Sequence, residues 1–140
     1  MTIFWRNWLS AWCWGVALFG LVLAGAGLEA TSAPTRLIFG ILGGPEPLDL
    51  DAQMRFALAI TGAVTLGWAI TLRAALAAAY ELGARARPVW VGITTGLLAW
   101  YLLDSSLSVA TGYGLNAVPN TIIAAAFLVP ILRGGVLRRA

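Results

Sequence analysis

Histidine and lysine are absent from this 140-residue chain, cysteine occurs once, and charged residues make up only 11% of it. Each shortage excludes something. Without histidine there is no imidazole for haem, for zinc or for general-base work. With Cys13 alone there is no intrachain disulfide and no thiolate cage for a metal. In its apolar run Cys13 reads as a small buried hydrophobe. Charge is scarce by any soluble standard, since a globular domain carries roughly 25% charged residues and 45–50% apolar ones. Here 60% are hydrophobic and the mean hydropathy is +0.84. The nine basic residues, all arginine, outnumber six acidic ones for a net charge of +3. They stand at the ends of apolar runs and form no basic stripe interleaved with aromatics, so no nucleic-acid partner is expected. Familiar catalytic patterns are also missing: there is no HExxH, no GxSxG, no phosphate-cradling loop and no carboxylate pair on one helix. Neither an enzyme, a cofactor nor a metal site is expected.

What the chain does have is membrane-length apolar runs. The spacing predicts one polytopic domain over residues 1–140, with spans at about 5–28, 52–80, 89–109 and 118–132. The run Trp8–Leu28 has 21 residues, longer than the roughly 7–15 of a signal-peptide core, and Trp12 before Cys13 breaks a lipobox. It reads as a retained first span. Residues 30–50 are too long and apolar for a plain loop. Their Pro34–Leu42 piece predicts a short helix in the interface, closed by the Gly43-Gly44-Pro45-Glu46-Pro47 turn. Asp49 or Asp51 then N-caps the second span. Between Arg55 and Arg73 lie 17 uncharged residues, near the length that crosses a hydrocarbon core. Gly83 suits the end of that helix and Pro88 the start of the third. The fold class is therefore all-α: a four-helix transmembrane bundle with a short interfacial helix between spans one and two.

Arginine placement sets the expected orientation. Arg6, the group Arg73, Arg85 and Arg87, and the group Arg133, Arg138 and Arg139 share one side, with only Arg36 and Arg55 opposite. By the positive-inside rule both termini are cytoplasmic, and the many Ala, Gly and Arg codons suggest a bacterial inner membrane.

Asp104 is the first candidate to carry chemistry, because ionisable groups at bilayer depth are costly and usually mark a pathway, a site or an ion pair. Helix rise places it near the outer margin with Glu29, Arg55 and Asn120, and Ser105, Ser108 and Asn116 stand beside it in sequence. These seven residues make a polar cluster that could line an outward-facing cavity. Alternatively, Arg55 and Asp104 form a structural salt bridge across an antiparallel hairpin. Small residues recur every four positions at Ala59, Ala63, Gly67, Thr71, Ala75 and Ala79, and Gly92 and Gly96 form a GxxxG. Such ridges let helices approach closely, within the chain, between copies or against a larger complex. Trp5, Trp8 and Trp12 share a helical face and suit either a lipid-interface belt or a partner helix.

The layout over Pro34 to Leu132 is a long first connection, a Gly/Ala-rich second helix, an Arg-flanked hairpin and a short last helix. It resembles that of the small four-span DoxX-like bacterial membrane proteins. Together these features lead to the expectation of a non-enzymatic inner-membrane protein. It would be an accessory subunit of a membrane complex or a lipid/hydrophobe-binding module, in contact with the bilayer and homo-oligomeric or part of a larger assembly. The alternative is a small oligomeric transporter or channel with an outer-leaflet polar site at Asp104 and Arg55. An intramembrane enzyme would need Asp104 as acid/base with Glu29 nearby.

Overall fold

A computed structural model describes residues 1–46 and 48–137. Pro47 of the expected turn, and Arg138 and Arg139 of the last arginine group, lie outside the described residues. Among the described residues five α-helices follow in order: α1 Ile3–Gly25, α2 Ala33–Leu42, α3 Ala52–Leu82, α4 Arg87–Ala110 and α5 Ala117–Arg133. Short 3₁₀ turns at Glu29–Thr31, Gly83–Ala86 and Gly114–Asn116 join them, and no strand occurs among the described residues.

Three helical stretches are long and apolar enough to cross a membrane: Ile3–Gly25, Ala52–Ala110 and Gly114–Arg133. The middle stretch contains both α3 and α4, where the sequence predicts two separate spans. The reason is local. Leu82 to Arg87 never leaves helical conformation except at Gly83, which takes φ +55° and turns the chain by a 3₁₀ step. A residue with a β-carbon would be strained there. Pro88 opens α4, where its missing N–H costs nothing. Past this turn α4 folds back on α3, since Tyr80 meets Trp90 at 5.6 Å and Trp68 meets Trp100 at 6.3 Å.

The first helix ends at Gly25, earlier than the predicted boundary at Leu28. Thr31 Oγ1 donates to the Gly25 carbonyl at 2.6 Å and closes the turn below Glu29. Asp51 N-caps α3, its Oδ1 accepting from the Met54 backbone N–H at 2.7 Å. Thr35 anchors α2 to α1 by donating to the Val22 carbonyl at 2.8 Å, while Leu37 and Ile41 point away from the protein.

The tightest contact runs between α1 and α3, which are antiparallel. A β-carbon on Gly20 would lie 2.7 Å from Leu66 N and 2.8 Å from the Gly62 carbonyl, and one on Gly62 would strike the Ala24 backbone. Gly27 meets Ala59 in the same seam. With no water-driven hydrophobic effect between lipid-embedded helices, close backbone approach and dispersion hold such a pair. This places the α3 seam at Leu58, Gly62, Ala69, Leu72, Leu76 and Ala79, the buried positions of the helix. Within the chain the expected small-residue ridge is used only in part, with Ala79 buried. Ala59 is half-buried and touches Gly27, but Ala63 and Gly67 are exposed, and nothing lies within 4 Å of a β-carbon added at Gly67, Gly92 or Gly96. A four-residue period drifts around an α-helix, so its members cannot all face one neighbour.

The tryptophan stripe also has a different use from a lipid belt. Trp8 Nε1 donates to the Ala126 carbonyl at 2.8 Å and Trp12 Nε1 to the Ile123 carbonyl at 2.9 Å, so both indoles dock on α5. The first bond has a cause in the sequence. The Ala126 carbonyl would receive the N–H of residue 130, but that residue is proline and has none. Trp8 supplies the missing donor. Trp12 also stacks edge-on against Phe127 at 5.2 Å, within a core of Leu9, Cys13, Leu76, Trp90, Leu97, Phe127 and Ile131.

This pairing is testable by a double-mutant cycle in bicelles. Trp8→Phe is expected to cost about 1 kcal/mol in the natural background. In a Pro130→Ala background, where a backbone N–H is restored, it should cost less than half as much. Equal costs in both backgrounds would show that the indole and the proline act independently.

Candidate functional site

The polar residues expected in one cluster fall into two separately bonded groups. The first is built on the chain between α1 and α3. Arg55, in the first turn of α3, directs Nη2 to the Glu29 carboxylate and Nη1 to the Ala26 carbonyl at 3.0 Å. Arg36 of α2 reaches the same Glu29 carboxylate at 3.5 Å. The Ala26 carbonyl belongs to the last turn of α1, where unpaired carbonyls carry the negative end of the helix dipole. Arg55 therefore closes a helix terminus and pairs with a carboxylate in one placement. Glu29 remains largely exposed, so the ion pair itself contributes little, about 0–1 kcal/mol.

The second group is built where α4 ends and α5 begins. Asp104 projects from α4 against Asn116, in the 3₁₀ turn, and Asn120, in the first turn of α5. Asn120 Nδ2 donates to Asp104 Oδ1 at 2.7 Å, Asn116 Nδ2 to the same oxygen at 2.9 Å, and Ser108 Oγ to it at 3.3 Å. The amide nitrogens have second acceptors as well: Ser108 Oγ at 2.9 Å for Asn116 and Ser105 Oγ at 3.4 Å for Asn120. Asn120 is only 5% exposed and Asp104 is half-buried. Because an ionised carboxylate only accepts, the amides must present their nitrogens to it, which fixes how both asparagines are turned. Nearby, the Tyr101 and Thr121 hydroxyls meet at 3.0 Å and tie α4 to α5 one turn further in.

The expected Arg55–Asp104 salt bridge is therefore not formed: both ion pairs among the described residues belong to Glu29. The reason is connectivity. The close α1–α3 seam carries Arg55 to the end of α1, whereas the short turn between α4 and α5 supplies Asp104 with neutral partners from its own hairpin. Ser105 and Ser108 lie beside Asp104 in sequence, and α-helical spacing puts Ser108 directly over it.

Two further polar features stand apart from both groups. Glu46, Asp49, Asp51, Gln53, Met54 and Tyr113 border an open groove of about 470 Å³ beside the start of α3. On the opposite half of the molecule, the hydroxyls of Tyr80 and Thr94 are buried without a hydrogen-bond partner among the described residues. No group of three or more His, Cys, Asp or Glu residues placed to hold a metal occurs among the described residues. Cys13 is free and buried.

Apolar side chains cover the outside. Val64, Ile70, Leu102, Leu103, Leu107 and Ile122 are all largely exposed, which a water-soluble surface does not tolerate at this density. Such helices suit insertion in a membrane, which is the class the fold and surface define. Compared with protein-family models, curated protein sequences and solved structures, the chain matches none. The layout likeness to DoxX-like proteins has no family match behind it.

Proposed function

We propose that the chain is a four-span inner-membrane protein without catalytic activity, serving as an accessory subunit of a membrane complex or as a lipid/hydrophobe-binding module. In this reading α1, α3, α4 and α5 each cross the bilayer and α2 lies in the outer interface. The arginine-rich end, where Met1 approaches Gly134 and Arg87 Nε donates to the Leu137 carbonyl at 3.2 Å, faces a bacterial cytoplasm. The observation that carries the accessory role is the vacant small-residue face of α4. Gly92 and Gly96 form a GxxxG with open space above both, and the chain's own close helix contact is made elsewhere, at Gly20 and Gly62. A smooth glycine face of this kind suits a second helix from another copy or from a larger membrane complex.

The test separates packing inside the chain from packing outside it. Gly96→Leu meets no neighbour, so the folded stability of the isolated protein should stay within about 0.5 kcal/mol. The same substitution should remove the oligomer or partner from native mass spectra of the gently extracted protein. A natural protein that extracts as a lone monomer, free of partner and lipid, would defeat the proposal. The transporter reading retains one supporting observation, the half-buried Asp104, but loses Arg55 as its companion gate.

A further inference from the structure

The protein hydrogen-bonds Asp104 on one side only. Three donors, Asn116 Nδ2, Asn120 Nδ2 and Ser108 Oγ, converge on Oδ1, while no donor among the described residues reaches Oδ2. No arginine balances the charge, since the ion pairs among the described residues both go to Glu29. An ionised carboxylate held by neutral donors alone has no countercharge, and a cation beside it would supply one. The protons of both amides are committed to Asp104 and the two serines, so what remains open at the cluster is acceptor capacity: the free Asp104 oxygen and the Ser105 hydroxyl oxygen.

We propose that Asp104 Oδ2 is the anionic ligand of a site for one small monovalent cation, an alkali ion or a primary ammonium group, with Ser105 Oγ as a neutral ligand beside it. The charge count selects a monovalent ion. Divalent ions draw on several carboxylates or on six or more oxygens, and Asp104 is the only acid in this group. The three hydrogen bonds to Oδ1 have a positioning role: they hold the carboxylate in one orientation, with its second oxygen free. Buried Asn120 gives that orientation its rigidity. This site does not depend on whether the Gly92–Gly96 face carries a partner.

The experiment is ²³Na NMR on the protein in phosphatidylcholine nanodiscs, with empty discs as reference. Sodium exchanging on and off the site broadens the resonance. Asp104→Asn is expected to abolish the excess width, and Glu46→Gln, in the open acidic groove, to leave it in place. Potassium or methylammonium should displace sodium, and bulky choline should not. Displacement by methylammonium alone, reproduced by adding ethanolamine phospholipid to the discs, assigns the ammonium source, a lipid headgroup. Displacement by potassium assigns a free ion. Equal broadening in the natural protein and in Asp104→Asn, or displacement by choline as efficient as by potassium, overturns the proposal. Should Asp104→Asn fail to fold, Asp104→Glu replaces it, because a carboxylate moved outward by one methylene must change the sodium linewidth. No change there equally overturns the site.

Discussion

Gly62→Leu is expected to prevent stable folding. The α1–α3 seam admits no side chain at this position, since even a β-carbon would penetrate the backbone at Ala24 and the Gly20 carbonyl. Overpacking of a core with flexible neighbours costs about 1–3 kcal/mol. Here the obstacle is main chain on the facing helix, which gives way only if the two helices separate. Separation would loosen Leu23, Ala26 and Leu58, which pack together at the same level, and would draw Arg55 from the Ala26 carbonyl. The expected loss therefore exceeds the usual overpacking range, above about 3 kcal/mol, a large share of a domain's whole stability. Steric-trap or denaturant unfolding in bicelles measures it. Gly67→Leu, one and a half turns further along the same helix, provides the contrast. It faces open space and should leave stability within about 0.5 kcal/mol. Comparable losses at the two positions would refute the assigned seam.

The second large effect is expected at Asp104→Leu. This change strands the donors of Asn116, Asn120 and Ser108, with Asn120 deeply buried, and should cost about 1–3 kcal/mol, the range for leaving a buried neutral donor unsatisfied. Asp104→Asn keeps an acceptor oxygen and should cost roughly a third of that. The partner responsible is identified by rescue. Arg55→Met should not relieve Asp104→Leu, because the Arg55 guanidinium is occupied by Glu29 and Ala26. Asn120→Leu should relieve it in part, by replacing a stranded amide with an apolar side chain. Rescue by Arg55→Met would restore the salt-bridge reading and remove the basis for an uncompensated Asp104.

Much of the helical layout was legible because it depends on composition and on local signals. The run from Arg55 to Arg73 is apolar and helical throughout, and Asp51, Gly83 and Pro88 punctuate α3 and α4 through their own backbone chemistry. The α2 segment was legible for a similar reason, with Pro34 near its start and Gly43 in left-handed conformation at its end. Which faces meet was harder to read. An α-helix in lipid is apolar all round, so hydrophobic periodicity no longer distinguishes the packed side from the lipid side. Nothing in that pattern ranks the Gly62 seam above the four-residue alanine ridge. The Gly20-x-x-x-Ala24 spacing opposite Gly62 was the signal that could have identified it. At the polar site, residue types were readable but partners were not. Depth along a helix follows from counting, but the partner of Asp104 depends on rotation about the helix axis, set by contacts made elsewhere. Trp8 was decipherable in principle: a proline in a helix always leaves the carbonyl four residues earlier without its usual donor, and Ala126 is that residue.

The two loops remote from the termini are interlocked. Tyr113 lies so close over Gly44 that a β-carbon there would enter its ring, and Pro45 rests 3.2 Å from the position a β-carbon would take on Gly112, itself at φ +86°. Gly44 and Tyr113 are separated in the chain by all of α3 and α4. This clasp therefore cannot close during synthesis until α4 has been completed, whatever the earlier helices have already done. Until that moment Gly44 and Pro45 lack their partners from the second hairpin, and the newly made chain is held mainly by the α1–α3 seam and by Leu50 packed among Leu23, Ala26 and Leu58. The loop contact thus acts as a late latch on assembly: it fastens the second hairpin to the first only once both exist, and a chain that stalls before Tyr113 is left with its first three helices unclasped.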